Sequence, residues 1–401
     1  MTESCLIAWV STHSNDPVMK DLSAYLQERK QSGLYRQRRL QEGMQGAHVV
    51  LDGKQCLAFC SNDYLGLSHH PDVIKAMQEG AEKYGAGSGA AHLINGHHRA
   101  HHALEEELAE FVQRPRALLF STGYMANLGV ISALMDRGDA VFEDRLNHAS
   151  LIDAGLLSGA RLQRYQHNDV DDLAARLTRS KSGHRLIASD AVFSMDGDIA
   201  PVSSLADRAR MHDAWLMVDD AHGFGVLGEE GRGTLSHLDL GEQDVPIYMA
   251  TLGKALGTFG AFVAGSEELI ETLINAARSY IYTTASPPAV AEACRASLKL
   301  VQQESWRREK LQSLVQQFRT GATQLGLQLM DSETAIQPVV VGDSEGALRM
   351  SRQLWEKGIY IPAIRPPTVP KGTARLRVSF SADHDSEHVQ QLLDALEPLA
   401  S

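Results

Sequence analysis

Short apolar runs alternate with longer stretches of helical periodicity from about residue 56 onward. The runs lie at residues 117–120, 140–142, 186–189, 215–218 and 247–250. The sequences between them, such as HHALEEELAEFV and VSSLADRARMHD, space their apolar residues as an amphipathic helix does. Strand-sized runs that alternate with helices are typical of an α/β domain with a mainly parallel sheet. The pattern therefore predicts a large α/β domain over residues 56–290.

The hydrophobic pattern changes on both sides of this domain. Residues 17–45 look helical, and residues 289–325 are mostly helical as well. Beyond them, AIQPVVVG predicts a strand, ALRMSRQLWEKG a helix, ARLRVSFS a strand and HVQQLLDALEPLA a closing helix. In ARLRVSFS the alternate apolar side chains share one face: Ala374, Leu376, Val378 and Phe380. We therefore predict an N-terminal helical arm at 1–55 and a connecting helix with a small C-terminal α/β domain at 291–401.

Composition and charge exclude several classes of protein. The chain has 401 residues, of which 43% are hydrophobic and 22% charged, and its net charge is -12. That charge argues against binding to nucleic acid or to an acidic membrane surface. No run approaches the roughly 18–20 apolar residues of a membrane span, and the start of the chain lacks the features of a signal peptide. The four cysteines lack metal-ligand spacing. We expect a cytoplasmic protein with reduced thiols and no bound metal.

Polar or permissive residues follow every apolar run of the large domain. The segments that follow are STGYMAN, EDRLNHAS, DAVFSMDGD, DDAHGFG and TLGKALG. Ligands of open α/β sheets bind beyond the carboxyl ends of the strands, so we expect these segments to meet at one rim. The side chains expected there are Tyr124, His148, Ser194, Asp219, His222 and Lys254.

Each of these segments also has an ordinary structural explanation. STGYMAN places Thr122 and Gly123 at a helix start, which suits a phosphate but equally a simple N-cap. Asp219 and His222 are compatible with a solvated turn. Lys254, in TLGKALGTFGAFVAG, either extends its amine to water or has room for a bulky group bonded to that amine.

The combination of these features favours pyridoxal 5'-phosphate (PLP). The phosphate of PLP needs N–H donors, its pyridinium nitrogen needs a carboxylate, and its aldehyde needs an amine for a Schiff base. A helix start, Asp219 and Lys254 supply the three requirements. The sequence therefore predicts a PLP site at the rim.

At this point the sequence resembles the α-oxoamine synthases, which are PLP enzymes of the aspartate-aminotransferase type, called fold type I. The matching stretches are SNDYLGLSHHP at 61–71, STGYMAN, DRLNHASLIDA, VFSMDGDIAP, VDDAHGFGVLGEEGRG and TLGKALG. The resemblance covers about residues 25–398. It implies a decarboxylative condensation of an amino acid with an acyl thioester, with release of CO2 and the thiol carrier.

The resemblance also implies roles for individual residues. Lys254 would form the Schiff base and later move protons at the amino-acid Cα, and Asp219 would pair with the ring nitrogen. His148 would stack on the ring, while His222 and Ser194 would contact its phenolic oxygen side. The remaining implied contacts are Gly123, Tyr124 and Thr251 at the phosphate, and Arg36, His148, Arg365 and Thr368 at the substrate. Arg365 would hold the amino-acid carboxylate through two parallel hydrogen bonds.

Substrates and partners follow from the same resemblance. The stretch AIRPPTVPKGTARLRVSFSADH at 363–384 favours members that join L-alanine to a pimeloyl thioester, from pimeloyl-CoA or a pimeloyl carrier protein. The run GAGSGAAHLINGHH departs from the family pattern and leaves the acyl chain open. We expect a homodimer in which Thr283 or Thr284 reaches the neighbour's phosphate. Arg36, Arg38 and Arg39 form the basic patch expected to receive an acidic carrier.

Several alternatives remain open at this stage. Within the family they are glycine C-acetyltransferase, 5-aminolevulinate synthase and serine palmitoyltransferase, and outside catalysis an inactive partner subunit, which would typically lack the lysine. GAGSGAA has the glycines of a dinucleotide-binding loop, but AMQEGAEKY before it looks helical and that motif requires a strand. In HLINGHHRAHH, His97/His101 and His98/His102 have metal-binding spacing. Without an obvious carboxylate nearby, we expect a solvated helix start instead.

Overall fold

The computed structural model describes residues 21–32 and 34–399. Contacts divide the chain into two compact units, Met1–Gln41 and Glu42–Ser401. In the first unit, the described helix starts at the Asp21 carboxylate, which accepts the N–H groups of Ser23 and Ala24. It ends at Gln31, so the helix predicted over residues 17–45 is too long at its C-terminal end.

The described strands and helices are as follows. The strands are β1 (Gln41–Glu42), β2 (His48–Leu51), β3 (Lys54–Ala58), β4 (Arg116–Phe120), β5 (Ala140–Asp144), β6 (Arg161–Tyr165), β7 (Arg185–Asp190), β8 (Trp215–Asp219), β9 (Ile247–Thr251), β10 (Ala261–Gly265), β11 (Ile336–Gly342), β12 (Ile359–Tyr360), β13 (Ala363–Ile364) and β14 (Ala374–Ser379). The α-helices are α1 (Leu22–Gln31), α2 (Pro71–Tyr84), α3 (Arg99–Phe111), α4 (Gly123–Leu134), α5 (Ala149–Leu157), α6 (Val170–Arg179), α7 (Val202–Met211), α8 (Thr234–His237), α9 (Glu267–Ala276), α10 (Arg278–Ile281), α11 (Pro288–Gln303), α12 (Trp306–Gln324), α13 (Ser344–Glu356) and α14 (Ser386–Leu396). No helix of the described residues is long and apolar enough to cross a bilayer.

The second unit is built around a seven-stranded sheet of order β4-β10-β9-β8-β7-β5-β6. Strands β5 to β9 pair in parallel, whereas β10 is antiparallel to both of its neighbours. All five strands predicted for the large domain are present. Strands β6 and β10 were not predicted, since RLQRY is a polar edge strand and AFVAG lies in a glycine-rich run.

Apolar side chains cover both faces of this sheet. Along β8, Leu216 and Val218 belong to one buried apolar cluster, while Met217 between them belongs to another. The first cluster includes side chains of α7, α11 and α12, and the second includes side chains of α4, α5 and α9. Burial on both faces explains why these strands appear in the sequence as continuous apolar runs.

The C-terminal part of the chain forms smaller sheets. Strand β14 lies between β11 and β13 and is antiparallel to both. Strand β12 pairs in parallel with β3, which also pairs with β2. A large, mostly parallel sheet with a smaller C-terminal α/β part confirms the predicted fold class. The domain boundaries at residues 55/56 and 290/291 stay predictions.

Two arginines of β14 connect this smaller sheet to the loop after β7. The guanidinium of Arg375 lies 2.6 Å from the carboxylate of Asp196, and both side chains are less than 10% exposed. The Nε of Arg377 donates to the carbonyl of Ser194 at 2.5 Å. The loop that carries Ser194 is therefore held from the C-terminal side.

We predict that Arg375→Ala lowers the free energy of unfolding by about 3–5 kcal/mol, because it leaves the Asp196 carboxylate buried without its cation. Urea unfolding followed by circular dichroism measures the change. The control is Arg349→Ala, which removes an exposed ion pair with Glu345 and should cost at most about 1 kcal/mol. Equal unfolding midpoints for the two variants would contradict the prediction.

Candidate active site

A cavity of about 190 Å³ lies beyond the carboxyl ends of β5, β7, β8 and β9. The cavity is lined by Gly123, Tyr124, His148, Ser150, Asp190, Ser194, Asp219, Ala221, His222, Met249, Thr251 and Lys254. Every residue expected at the rim is in this set, together with Gly123 and Thr251. The structure therefore brings together side chains from five separate segments of the sequence.

The start of α4 forms one wall of the cavity. Thr122 caps the helix, since its hydroxyl accepts the N–H of Met125 at 3.1 Å. A Cβ added at Gly123 would meet only a methyl of Met249, at 3.7 Å, so an anion has room to approach. The first backbone N–H groups of a helix lack partners within the helix and attract anions. Thr251, which also lines the cavity, donates its hydroxyl hydrogen to the carbonyl of Gly260 at 2.9 Å.

Asp219 ends β8 with its carboxylate buried and oriented. It accepts a hydrogen bond from the Asn127 side-chain amide at 2.8 Å and from the Ala221 N–H at 3.0 Å. The same Asn127 amide also donates to Ser150 at 2.8 Å. Among the described residues, no lysine or arginine lies within 4.0 Å of this carboxylate. A buried carboxylate without a protein cation suits a cationic ring nitrogen.

The amine of Lys254 lies inside the cavity, 2.8 Å from Nε2 of His222. Burial lowers the pKa of Lys254 to about 8, although the carboxylates of Asp219 and Asp190 oppose this shift. Burial, followed by the charge of Lys254, holds the pKa of His222 well below its usual range. The imidazole is therefore neutral at physiological pH, and a useful fraction of the amine is neutral too.

His148 caps α5 and faces the same cavity. Its backbone N–H donates to Asp190 at 2.7 Å, and its Nδ1 lies 2.7 Å from the hydroxyl of Ser150. Burial lowers the pKa of His148, the nearby carboxylate of Asp219 opposes this shift, and the charge of Lys254 adds to it. Burial also raises the pKa of Asp190 well above its usual range, helped by the negative charge of Asp219. These contacts hold the imidazole of His148 in place as a flat, neutral wall.

Four residues that the sequence analysis missed support these groups. Tyr64 contacts His222 at 2.6 Å, and Arg377 donates to Asn62 at 3.2 Å. Asn127 orients Asp219 as described above. Tyr64 and Asn62 lie in SNDYLGLSHHP and Arg377 in ARLRVSFS, so the matching stretches already contained the signal.

The remaining predicted contacts lie elsewhere. Arg365 and Thr368 follow β13, with Arg365 half-buried and Thr368 exposed, and neither lines this cavity. Thr283 and Thr284 follow α10 and do not line it either. Arg36 belongs to the first unit, where it lines a separate surface cavity. The substrate and phosphate roles of these residues stay predictions.

The histidines near α3 differ from the expected solvated helix start. His92 and His101 are buried, and burial lowers the pKa of His92 to about 3 and of His101 to about 4. A carboxylate is also present, since Glu105 lies 3.9 Å from His97. His101 accepts the backbone N–H of His98 at 3.0 Å, and its other nitrogen contacts a backbone carbonyl at 2.8 Å. Both nitrogens of His101 are thus engaged in helix capping and packing.

The comparisons with known proteins agree with this geometry. The sequence profile described as aminotransferase class I and II matches residues 54–396. The chain therefore belongs to the class I and II aminotransferase family, which confirms the predicted family and fold type. The run GAGSGAA directly follows helix α2. A dinucleotide-binding loop would require a strand before it, so the structure excludes that alternative.

The chain is similar to individual members of two kinds of enzyme within this family. The 8-amino-7-oxononanoate synthase of Thioalkalivibrio sulfidiphilus is 63% identical over 94% of this chain and 97% of its own length. That of Nitrosococcus oceani is 62% identical over 92% and 98%. Serine palmitoyltransferase from S. paucimobilis, solved with bound PLP, superimposes with a TM-score of 0.89 at 33% identity, covering 94% of this chain and 96% of its own. 8-Amino-7-oxononanoate synthase from Francisella tularensis superimposes with a TM-score of 0.75 at 33% identity, covering 86% and 97%.

The residues of the cavity fit PLP. The start of α4 offers N–H groups to a phosphate, Asp219 offers an unpaired carboxylate to a ring nitrogen, and Lys254 offers an amine to an aldehyde. The neutral imidazole of His148 provides a flat surface beside them.

We predict that Asn127→Leu weakens PLP binding at least about tenfold, because Asp219 loses its side-chain donor and a hydrogen bond to a charged group is worth roughly 1.5–3 kcal/mol. Titration of the cofactor-free enzyme with PLP, followed by tryptophan fluorescence, measures the dissociation constant. The matched control is Asn275→Leu on the exposed face of α9, which should bind as the wild type does. An unchanged constant in Asn127→Leu would exclude a role for this amide.

Proposed function

We propose that the chain catalyses the reaction of an 8-amino-7-oxononanoate synthase, a PLP-dependent acyl transfer of biotin biosynthesis. L-Alanine condenses with a pimeloyl thioester, CO2 leaves, and the thiol carrier is released. Support comes from the relatives of this name, which are 60–63% identical over nearly the whole chain. The proposal depends on one observation. A single cavity contains the amine of Lys254, whose pKa is lowered to about 8, and the carboxylate of Asp219, which has no ion-pair partner among the described residues.

The cofactor is pyridoxal phosphate, which when bound withdraws electrons from the amino-acid Cα and so stabilises negative charge there. The chain's own residues prepare its place. Lys254 would supply the amine that holds the aldehyde, and Asp219 would accept the ring N–H and keep that nitrogen charged. Gly123, Tyr124 and Thr251, which all line the cavity, would surround the phosphate.

Lys254 is also suited to move protons at the Cα of alanine. A lysine acts as a base only when it is neutral, and with a pKa of about 8 roughly one amine in ten is neutral at pH 7. A lysine with an unshifted pKa near 10.4 would be neutral in fewer than about one molecule in a thousand. The site therefore raises the base form of Lys254 by more than about a hundredfold at neutral pH.

The neighbouring residues bind and orient. With the cofactor bound, His148 would cover one face of the ring, and His222 and Ser194, which line the same cavity, would contact its phenolic oxygen side. Arg365 binds the carboxylate of alanine, and Thr368 and Arg36 contact substrate. These last three roles rest on the resemblance alone.

The same proposal includes the oligomeric state, the cellular location and the surface that binds the acyl carrier. The enzyme is a cytoplasmic homodimer, and Thr283 or Thr284 of one subunit reaches the phosphate of its neighbour. The acyl carrier binds at the basic patch of Arg36, Arg38 and Arg39. These three residues line one surface cavity of the first unit. Coenzyme A and a carrier protein are both compatible with this patch.

Another α-oxoamine synthase activity is the second candidate. Serine palmitoyltransferases have this fold with TM-scores of 0.88–0.89 at 31–33% identity. The 60–63% identity to several 8-amino-7-oxononanoate synthases is far higher than any of these values and favours alanine and pimeloyl substrates. An inactive partner subunit is disfavoured because Lys254 is present and oriented by His222.

A substrate matrix tests the proposal. The purified enzyme is loaded with PLP and incubated with alanine, glycine or serine in each combination with pimeloyl-, acetyl-, succinyl- or palmitoyl-CoA, and products are identified by mass. The proposal expects 8-amino-7-oxononanoate from alanine and pimeloyl-CoA, with at least about tenfold lower turnover for every other pair. Preference for glycine or serine, or for another acyl group, would assign the chain to a different member of the family.

We predict that Lys254→Ala abolishes covalent capture of PLP and lowers turnover by about 10²–10⁴-fold or more, since the base and the attachment point are both lost. Borohydride reduction followed by peptide mass spectrometry locates the attached cofactor. In the wild type the label should sit on Lys254. Lys75→Ala, at an exposed position of α2, serves as the control and should label fully. Stable labelling of Lys254→Ala at another lysine would refute the assignment.

A further inference from the structure

A second polar group lies behind His222, on the side away from Lys254. The hydroxyl of Tyr64 is 2.6 Å from Nδ1 of His222 and 3.2 Å from Oδ1 of Asn62. The side chain of Tyr64 is buried, with 1% of its surface exposed. A buried chain of contacts therefore runs from Asn62 through Tyr64 and His222 to the amine of Lys254.

The direction of these hydrogen bonds is assigned from the two distances. The hydroxyl of Tyr64 has one hydrogen, and its two acceptors lie at 2.6 and 3.2 Å. The oxygen of Asn62 also accepts from Arg377 at 3.2 Å, whereas the 2.6 Å contact to His222 is shorter than the roughly 2.7–3.2 Å of an N–H···O bond and favours the hydroxyl as the donor. The short contact is therefore the O–H···N bond to His222. A neutral imidazole that accepts at Nδ1 carries its hydrogen on Nε2.

This tautomer determines what the amine of Lys254 meets. An Nε2–H group at 2.8 Å needs a lone pair to bond to, and only a neutral amine has one. The opposite tautomer would present a lone pair and would stabilise the ammonium form instead. The orientation of one hydroxyl hydrogen thus biases the charge of the reactive lysine.

We infer that Tyr64 is a positioning residue, which fixes the Nε2–H tautomer of His222 and thereby holds the amine of Lys254 in its neutral, nucleophilic form. The inference rests on the proposed function of Lys254 as the amine that captures PLP. The same Nε2–H would serve as a donor to the phenolic oxygen side of the ring, the contact proposed for His222.

Other charged groups also act on this amine, and they come from four neighbouring elements. Those groups are Asp190 at the end of β7, Asp219 at the end of β8 with Asp220 directly after it, Arg377 on β14, and His148 at the start of α5. The carboxylates favour the ammonium form, while burial and Arg377 favour the neutral amine. Replacing Tyr64 with Phe leaves the carboxylates and His148 in place but also removes a hydrogen bond between Arg377 and the Tyr64 hydroxyl, so the tautomer of His222 is measured as well as the charge of the amine.

The test uses Tyr64→Phe in the full chain after removal of PLP. Acetylation of Lys254 by acetic anhydride is followed by peptide mass spectrometry across a pH series, because only the neutral amine reacts. In the wild type the profile should have its midpoint near 8. In Tyr64→Phe the midpoint should rise by about one unit or more, since a folded-state pKa nearer the normal lysine value leaves less free amine, so labelling at pH 8 falls about fivefold. A profile that superimposes on the wild type overturns the inference.

The matched control is Tyr280→Phe, which removes another buried tyrosine hydroxyl whose charged neighbours are Glu105 and Arg116 rather than cavity residues, and should leave the Lys254 profile unchanged. A shift of equal size in the control overturns the inference, because the effect would then be structural. Circular dichroism confirms that each variant is folded before labelling.

A measurement on the wild type decides the question if Tyr64→Phe does not fold. Nitrogen-15 histidine spectra distinguish the two tautomers, and the resonances lost in His222→Gln identify His222. An Nε2–H tautomer supports the inference and an Nδ1–H tautomer overturns it. Borohydride trapping of PLP on wild-type Lys254 is scored separately. Failure of trapping refutes the proposed function, whereas trapping with an unshifted Tyr64→Phe profile refutes this inference alone.

Discussion

The site depends on the contact between the amine of Lys254 and His222. This contact is buried near the carboxylates of Asp219 and Asp190. Taking an ammonium group out of water is costly unless its charge is fully compensated. Here burial outweighs the attraction of Asp219 and Asp190, and the pKa of Lys254 falls to about 8. An amine in that range is both a nucleophile and a base near neutral pH. A lysine on an open surface would be protonated and inert.

The sheet determines where that amine can meet its partners. Because β5, β7, β8 and β9 run in the same direction, residues far apart in the sequence end at a common edge. Apolar clusters cover both faces of the sheet, so the strand ends cannot move without disturbing packed side chains. A rigid sheet of this kind can hold a carboxylate and an amine at the separation that one small cofactor requires.

The C-terminal sheet completes the site through its arginines. Arg377 on β14 binds the carbonyl of Ser194 and the side chain of Asn62, while Arg375 holds Asp196 in the same loop. Arg377 also adds positive charge near Lys254 and favours its neutral form. The smaller sheet therefore contributes to the electrostatics of the cavity as well as to its shape.

The sequence by itself determined five of the seven strands of the large sheet and the residues at their ends. Continuous apolar runs indicate strands buried on both faces, and a polar residue just after such a strand lies at the ligand edge whatever the details of packing. That local rule placed His148, Asp219, His222 and Lys254 in the cavity. It missed β6, whose polar residues suit an edge, and β10, whose small residues resemble a loop.

Only the tertiary structure decided which side chains support those groups. Tyr64 and His222 are 158 positions apart, and Arg377 and Asn62 are 315 apart. Nothing in the local pattern of either segment marks such a pair. Local periodicity records which face of an element is buried, because burial depends on the element's own side chains. The partner across an interface depends on how separate elements pack, and that is settled only when the whole chain folds.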